Sequence, residues 1–191
     1  MDIIMIRHGE SEANVSGVFG TEEAPLTKQG RKQIEDTREN LKGFSFDKVY
    51  YSPFTRTVET LKILGLDGRA DERIAEYNFG IFSGKTHYDL EGEFPREYKE
   101  WIEDPTGYRI PGGESLSLAY DRVKGFLEEA LTKDENLLLV THAGVIRLAL
   151  CWVFDDVDYF FKFKVDNGSI NIISIDDGYK FIRMLNYRPG L

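Results

Sequence analysis

The chain is poor in the features that would tie it to a membrane, an oxidising compartment or a polyanion. Cys151 is its single cysteine, so no internal disulfide can form and a reducing compartment is expected. The longest uninterrupted apolar run, Leu148 to Phe154, falls far short of the ~18–20 residues that a membrane span needs. The opening Met1-Asp2-Ile3-Ile4 lacks the basic stretch of a signal peptide. Positive charge is also short. The 24 Lys and Arg stand against 33 Asp and Glu, a net −9 that repels phosphate backbones and anionic lipid. These absences argue against nucleic-acid and membrane partners and predict a cytoplasmic protein. A phosphate group handled by this chain must enter a local basic pocket.

Core material is abundant. Hydrophobic residues make up 41% and charged residues 30%, the balance of an ordinary globular protein, and 13 Phe, 10 Tyr and 2 Trp can anchor a core. The 191 residues fit one domain, 1–191, without repeats, low-complexity tracts or linkers. Asp2–Ile6, Asp47–Tyr51 and Leu137–Val140 read as strands. Thr27 to Leu41 predicts a helix with Thr27 at its N-cap. Ser52-Pro53 predicts a helix start with proline in the first position, followed by Val58, Leu61 and Leu64 at helical spacing. Ser115 to Thr132 carries Leu116, Ala119, Val123, Phe126, Leu127 and Ala130 on one stripe, and Gly144 to Trp152 is a mainly apolar helix. Three β-rich runs close the chain: Phe161–Val165, Ser169–Ile175 and Tyr179–Leu185, with turns at Asn167-Gly168 and Asp176-Asp177-Gly178. The alternation predicts an α/β fold, a three-layer α/β/α sandwich around a mostly parallel central sheet. Residues 82–113, rich in Glu, Tyr and Pro, fit less well. They read as a small helical, cap-like insertion over the strand carboxyl ends.

Three segments share one layout: an apolar strand, a sharp turn, then a helix, with cationic or imidazole side chains at the junction. They are Ile3–Ile6 before Arg7-His8-Gly9-Glu10, Val49-Tyr50-Tyr51 before Ser52 to Thr57 with Arg56, and Leu137–Val140 before Thr141-His142-Ala143-Gly144. In open α/β sheets ligands bind outside the carboxyl ends of the strands, where helix N-termini present free N–H groups to anions. Two histidines and two arginines there make a compact cationic pocket in an acidic protein. That combination asks for a phosphoryl group.

Arg7-His8-Gly9-Glu10 resembles the signature of the histidine phosphatase superfamily, in its phosphoglycerate-mutase-like branch. Average residue usage gives such a tetrapeptide by chance in roughly one chain in a thousand. The resemblance continues through Asn14, Pro25 to Gly30, Ser52-Pro53 to Thr60, Glu76 with Phe79-Gly80 and Ser83-Gly84, Pro111 to Ser115, and Thr141 to Gly144. It spans residues 1–175 in order. It implies that neutral His8 attacks phosphorus in line and forms a phosphohistidine, its other ring nitrogen donating to a backbone carbonyl. Arg7 and Arg56 would bind phosphoryl oxygens through their planar forks, His142 would donate as an imidazolium, and Asn14 and Gly20 would complete the substrate-binding set. Glu76 would be general acid to the leaving oxygen and then base for water, which needs it protonated before transfer. The resemblance implies no metal and no organic cofactor, and a small phosphorylated metabolite as partner.

Other readings compete at single positions. Arg56 would ordinarily pair with Glu59 at a helix surface. His142 alone would be a structural histidine, and His87 a solvent-exposed helix residue. Tyr77, Phe79, Phe82, Tyr88, Phe94, Tyr98, Trp101 and Tyr108 fit a substrate wall or a small satellite core equally. Cys151 fits buried packing. For the whole chain, a phosphatase competes with a cofactor-dependent phosphoglycerate mutase and with a phospho-ligand binding module that has lost catalysis. Mutases resemble Glu-Arg-His-Tyr-Gly where this chain has Glu76-Tyr77-Asn78-Phe79-Gly80, and they carry paired arginines in the insertion and a longer tail than one ending at Leu191. Arg96, Lys99 and Arg109 remain candidates for a second anion. All five of Arg7, His8, Arg56, Glu76 and His142 are present, which argues against a non-catalytic module. The segment from Phe94 to Ser115 is similar to bacterial α-ribazole phosphatases and broad-specificity relatives, so α-ribazole 5′-phosphate is the substrate expected.

Overall fold

A computed structural model describes residues 1–188; the chain end at Leu191, used above against a mutase, lies outside them. Elements follow in the order β1 (Asp2–Arg7), α1 (Glu12–Ser16), α2 (Lys28–Leu41), β2 (Lys48–Tyr51), α3 (Thr55–Leu64) and β3 (Arg69–Ala70), then α4 (His87–Glu93), α5 (Pro95–Glu103) and α6 (Leu116–Leu131). The chain closes with β4 (Leu137–Thr141), α7 (Ala143–Phe154), β5 (Ile170–Asp176) and β6 (Tyr179–Tyr187). The six strands form one sheet in the order β3-β2-β4-β1-β5-β6. Pairings β1–β4, β2–β4 and β2–β3 are parallel; β1–β5 and β5–β6 are antiparallel. The chain thus has the α/β architecture read from its alternation, with a mixed, mostly parallel sheet.

Side-chain alternation builds a core on each face of the sheet. Ile3, Met5, Leu137 and Leu139 pack with α6 and α7 on one side. Ile4, Ile6, Leu138 and Val140 meet Ile34 and Leu41 of α2 and Leu61 and Leu64 of α3 on the other. The Ser115–Thr132 stripe is buried as its spacing requires, with Ser115 capping α6 by accepting from Leu118 N. Thr27 caps α2 by accepting from Gly30 N. The final hairpin turns at Asp177 and Gly178, both with positive φ (46° and 81°), the geometry of a two-residue primed turn. Among the described residues no helix is long and apolar enough to cross a membrane.

Two expectations are corrected. Ser52-Pro53 does not open a helix: α3 begins at Thr55, with Phe54 as an extended N-cap lacking a side-chain bond. Ser52 instead continues the sheet, its N–H donating to Val140 O. Nor is Phe161–Val165 a strand, because residues 157–162 wind into a 3₁₀ turn capped by Asp156. Its aromatics pack beside α7 instead of joining the sheet.

Candidate active site

Strand register gathers the site. Arg7 lies opposite Thr141 between β1 and β4, and Tyr51 lies opposite Val140 between β2 and β4. The residues that follow, His8, His142 and Ser52, therefore leave the sheet at one level. His8 N–H donates to Thr141 O, which locks the first turn to β4. Gly9 and Gly30 make the next turn possible. A Cβ on Gly9 would lie 2.3 Å from Gly30 O, and one on Gly30 2.0 Å from Glu10 O, so only bare backbones can cross so closely.

His8 is 2% exposed. Its Nδ1 lies 2.7 Å from Gly9 O. A carbonyl only accepts, so Nδ1 carries the proton and Nε2 keeps its lone pair. Arg56 Nε donates to that Nε2 at 3.2 Å. The Arg56 guanidinium, 5% exposed, also donates through Nη1 to Thr21 O. It does not pair with Glu59, which binds Arg31 at 2.8 Å and Leu26 N instead. Arg7 is anchored by Nη1 to Val165 O at 2.6 Å. Its Nε is buried without a partner among the described residues, as is Nδ1 of His142. The opposite ring nitrogen of His142, Nε2, lies 2.7 Å from Ser52 Oγ. Asn14 Oδ1 takes the N–H and hydroxyl of Ser11 and the amide of Asn167, at 3.0 to 3.1 Å. These bonds orient the amide, leaving its Nδ2 without a partner among the described residues. Arg7, His8, Asn14, Gly20, Arg56 and Glu76 line one cleft of about 270 Å³.

Burial and two neighbouring guanidinium groups hold His8 well below the ordinary histidine range. Burial, then Arg56, His8 and Arg7, do the same to His142. Burial and the neighbouring guanidinium groups thus work against the imidazolium expected at His142, and a phosphoryl dianion beside it would oppose the shift. Arg7 is pushed down to about 10 by burial, with Glu76 opposing. Folding stability follows. Unfolded histidines take up protons below about 6.5 while folded His8 and His142 stay neutral, so stability falls as pH drops from 7 to 5, by up to about 1.4 kcal/mol per pH unit for each histidine. Thermal unfolding across that range checks this: His142→Phe is expected to show a shallower slope, and parallel slopes would contradict it.

Glu76 sits at the mouth of α7. Tyr77 N donates to its Oε1 at 3.1 Å. A Cβ on Gly144 would fall 2.3 Å from that oxygen. Gly144→Ala therefore has a divided outcome. Alanine suits the first turn of α7, favouring the helix by up to ~1 kcal/mol, so thermal stability is kept or raised. The carboxyl group must swing aside, and kcat/KM for an alkyl phosphate is expected to fall ~10²-fold. Activity kept at the native level would refute this placement.

Beyond Glu76 a cavity of about 530 Å³ is walled by Phe19, Tyr77, Phe79, Trp101, Phe160 and Phe161 among others. The aromatics named as wall or satellite core divide. Tyr77, Phe79 and Trp101 line the cavity, Phe82 is fully buried, and Tyr88 is 85% exposed. Phe94, Tyr98 and Tyr108 pack against the main core. His87 is exposed, yet it also rims the cavity, stacked near Trp101 and 3.1 Å from Tyr98 OH through Nδ1. The residues that sequence reading missed are Ser52, Asn167 and Arg147. Asn167 ties Asn14 to His8 O. Arg147 lines the cavity with its Nε unpartnered among the described residues. Its one signal was being the sole charge in the apolar α7.

A neutral nucleophilic imidazole ringed by cationic forks, with a carboxyl group across the cleft, is equipment for phosphoryl transfer. The chain belongs to the histidine phosphatase superfamily (branch 1), which it matches over residues 3–188. It is a phosphatase of that superfamily. Phosphoserine phosphatase 1 of Hydrogenobacter thermophilus is 31% identical over 96% of this chain and 91% of its own length. The adenosylcobalamin/α-ribazole phosphatase of Salmonella typhimurium is 30% identical over 98% and 97%. The crystal structure of the α-ribazole phosphatase from Shigella flexneri superposes with a TM-score of 0.91 at 29% identity, covering 98% of this chain and 97% of that one.

Proposed function

We propose that the chain hydrolyses a small phosphomonoester through a phosphohistidine at His8, with α-ribazole 5′-phosphate as the favoured substrate. The observation that carries the chemistry is the His8 ring, with its Nδ1 proton committed to Gly9 O and its Nε2 lone pair facing the Arg56 guanidinium. Nε2 attacks phosphorus, the bond to the ester oxygen breaks, and the Glu76 proton passes to that oxygen. The Glu76 carboxylate then takes a proton from water as the water oxygen attacks the phosphohistidine. Free phosphate leaves, and both residues return to their starting states. Arg7, Arg56, His142 and Asn14 hold the phosphoryl oxygens throughout.

The aromatic cavity beside Glu76 supports a leaving group with a flat, apolar body, as α-ribazole has. Arg147 in the same wall supports a second reading, phosphoserine, whose carboxylate would meet its guanidinium. The mutase alternative needs a second anion site. Arg96 and Lys99 are largely exposed on α5, beside Glu100 and Glu103, and Arg109 Nε is spent on Gly113 O. None of the three lines the 530 Å³ cavity, which leaves Arg147 as the cation there that a second anion could meet.

The test is phosphate release from p-nitrophenyl phosphate, α-ribazole 5′-phosphate, phosphoserine and 3-phosphoglycerate, with mutase interconversion followed in parallel. The highest kcat/KM is expected for α-ribazole 5′-phosphate. Interconversion without net release would overturn the hydrolase reading.

A further inference from the structure

We infer that Arg122 and Glu114 form a positioning clamp that fixes the Glu76 backbone and so aims its carboxyl group at the leaving oxygen. The inference rests on the acid role proposed for Glu76. Residues 72–78 contain only a short 3₁₀ turn, Glu72–Ile74, and then run irregularly across the cleft. A segment of that kind does not hold a side chain to the fraction of an ångström that proton transfer needs. Its rigidity comes from outside.

Arg122 projects from α6, a sixteen-residue helix with one face buried in the core. Its Nη1 donates to Arg73 O at 2.9 Å and Ala75 O at 3.0 Å. Its Nε and Nη2 donate to the two carboxylate oxygens of Glu114, at 2.8 and 2.9 Å. Glu114 grips the other flank: Oε2 accepts from Asn78 N at 3.0 Å, and its own N–H donates to Asn78 O at 2.9 Å. Tyr77 OH closes the set by donating to Glu114 O at 2.8 Å. One bidentate pair thus binds Ala75 before Glu76 and Tyr77 and Asn78 after it.

The pair is poorly exposed, at 21% and 19%, so solvent competes little for these bonds. Arg122 also lines a cleft of about 250 Å³ that borders Glu76. All three nitrogens of its fork donate, an arrangement that a lysine cannot reproduce. A pair serving the fold alone would use the same bonds, so the discriminating readout is the leaving group. p-Nitrophenolate departs without a proton, whereas an alkoxide requires one.

The experiment compares kcat/KM on an alkyl phosphate and on p-nitrophenyl phosphate for Arg122→Lys, Glu114→Gln, Glu76→Gln and the double variant Arg122→Lys/Glu76→Gln. Arg122→Lys is expected to lose ~10²-fold on the alkyl ester and only a few-fold on the aryl ester. The double variant is expected to be no worse than Glu76→Gln alone, because a misplaced acid and an absent one fail alike. Equal losses on both esters, or losses that multiply in the double variant, would overturn the clamp. Equal losses in Glu76→Gln itself would instead remove Glu76 from the acid role, and the clamp's function with it. Should Arg122→Lys not fold, Glu114→Gln keeps an acceptor oxygen on Asn78 N and carries the same expectation.

Discussion

His8→Ala is expected to lower kcat by at least ~10⁴-fold, the order seen when a covalent nucleophile is removed from an otherwise intact site. The fold should survive. Losing the ring takes one acceptor from Arg56, which keeps its bond to Thr21 O, and the β1–β4 register that places the turn is made by backbone. Anion binding should survive too, because Arg7, Arg56, His142 and Asn14 keep their own anchors. The signature is a collapse of kcat with little change in the inhibition constant for inorganic phosphate. Turnover within tenfold of the native rate would mean that water attacks the ester directly, with His8 only a ligand.

Arg7→Lys is expected to cost about 10²–10³ in kcat/KM, the scale of losing one oriented donor in the transition state. The Arg7 guanidinium is tethered by Nη1 to Val165 O, which turns the rest of the fork toward the cleft. A lysine ammonium is a point charge with no fixed plane, and it holds its proton less firmly when buried. The guanidinium keeps its charge across the working pH range, whereas a buried ammonium can lose its proton, so Arg7→Lys is expected to add an alkaline fall in activity that the native enzyme lacks. Near-native kcat/KM in the variant would sink the bidentate assignment.

Most of the scaffold was legible because its signals are local. The apolar runs of β1 and β4 can only be interior strands, and the stripe on α6 can only face a core. The strand-end residues were legible for the same reason: once Ile3–Ile6 and Leu137–Val140 are central strands, Arg7-His8 and His142 must emerge at their carboxyl ends. What failed was set by distant partners. Phe160 and Phe161 have strand propensity, but a cavity wall beside α7 takes them into a 3₁₀ turn. Ser52-Pro53 has the look of a helix start, but the Ser52 N–H is claimed by Val140 O and its hydroxyl by His142. The downward pull on the His142 ring comes from burial and from the cations the fold brings beside it, which spacing does not reveal. Asn167 looked like a turn residue, and it is one; that it also orients Asn14 follows from a contact 153 residues apart in sequence. Nothing in the spacing of Arg122 and Glu114 marks them as partners, and only the irregular path of residues 72–78 gives their bonds a purpose.

Rapid quenching can trap the covalent intermediate on His8. The enzyme is mixed with a phosphate-labelled ester, stopped in alkali within the first turnover, and mapped for bound label. Label is expected on His8 alone, stable in base and lost in acid as a phosphoramidate bond is, and absent from His8→Ala. Burst release of the alcohol with no label on the protein at any time would contradict it.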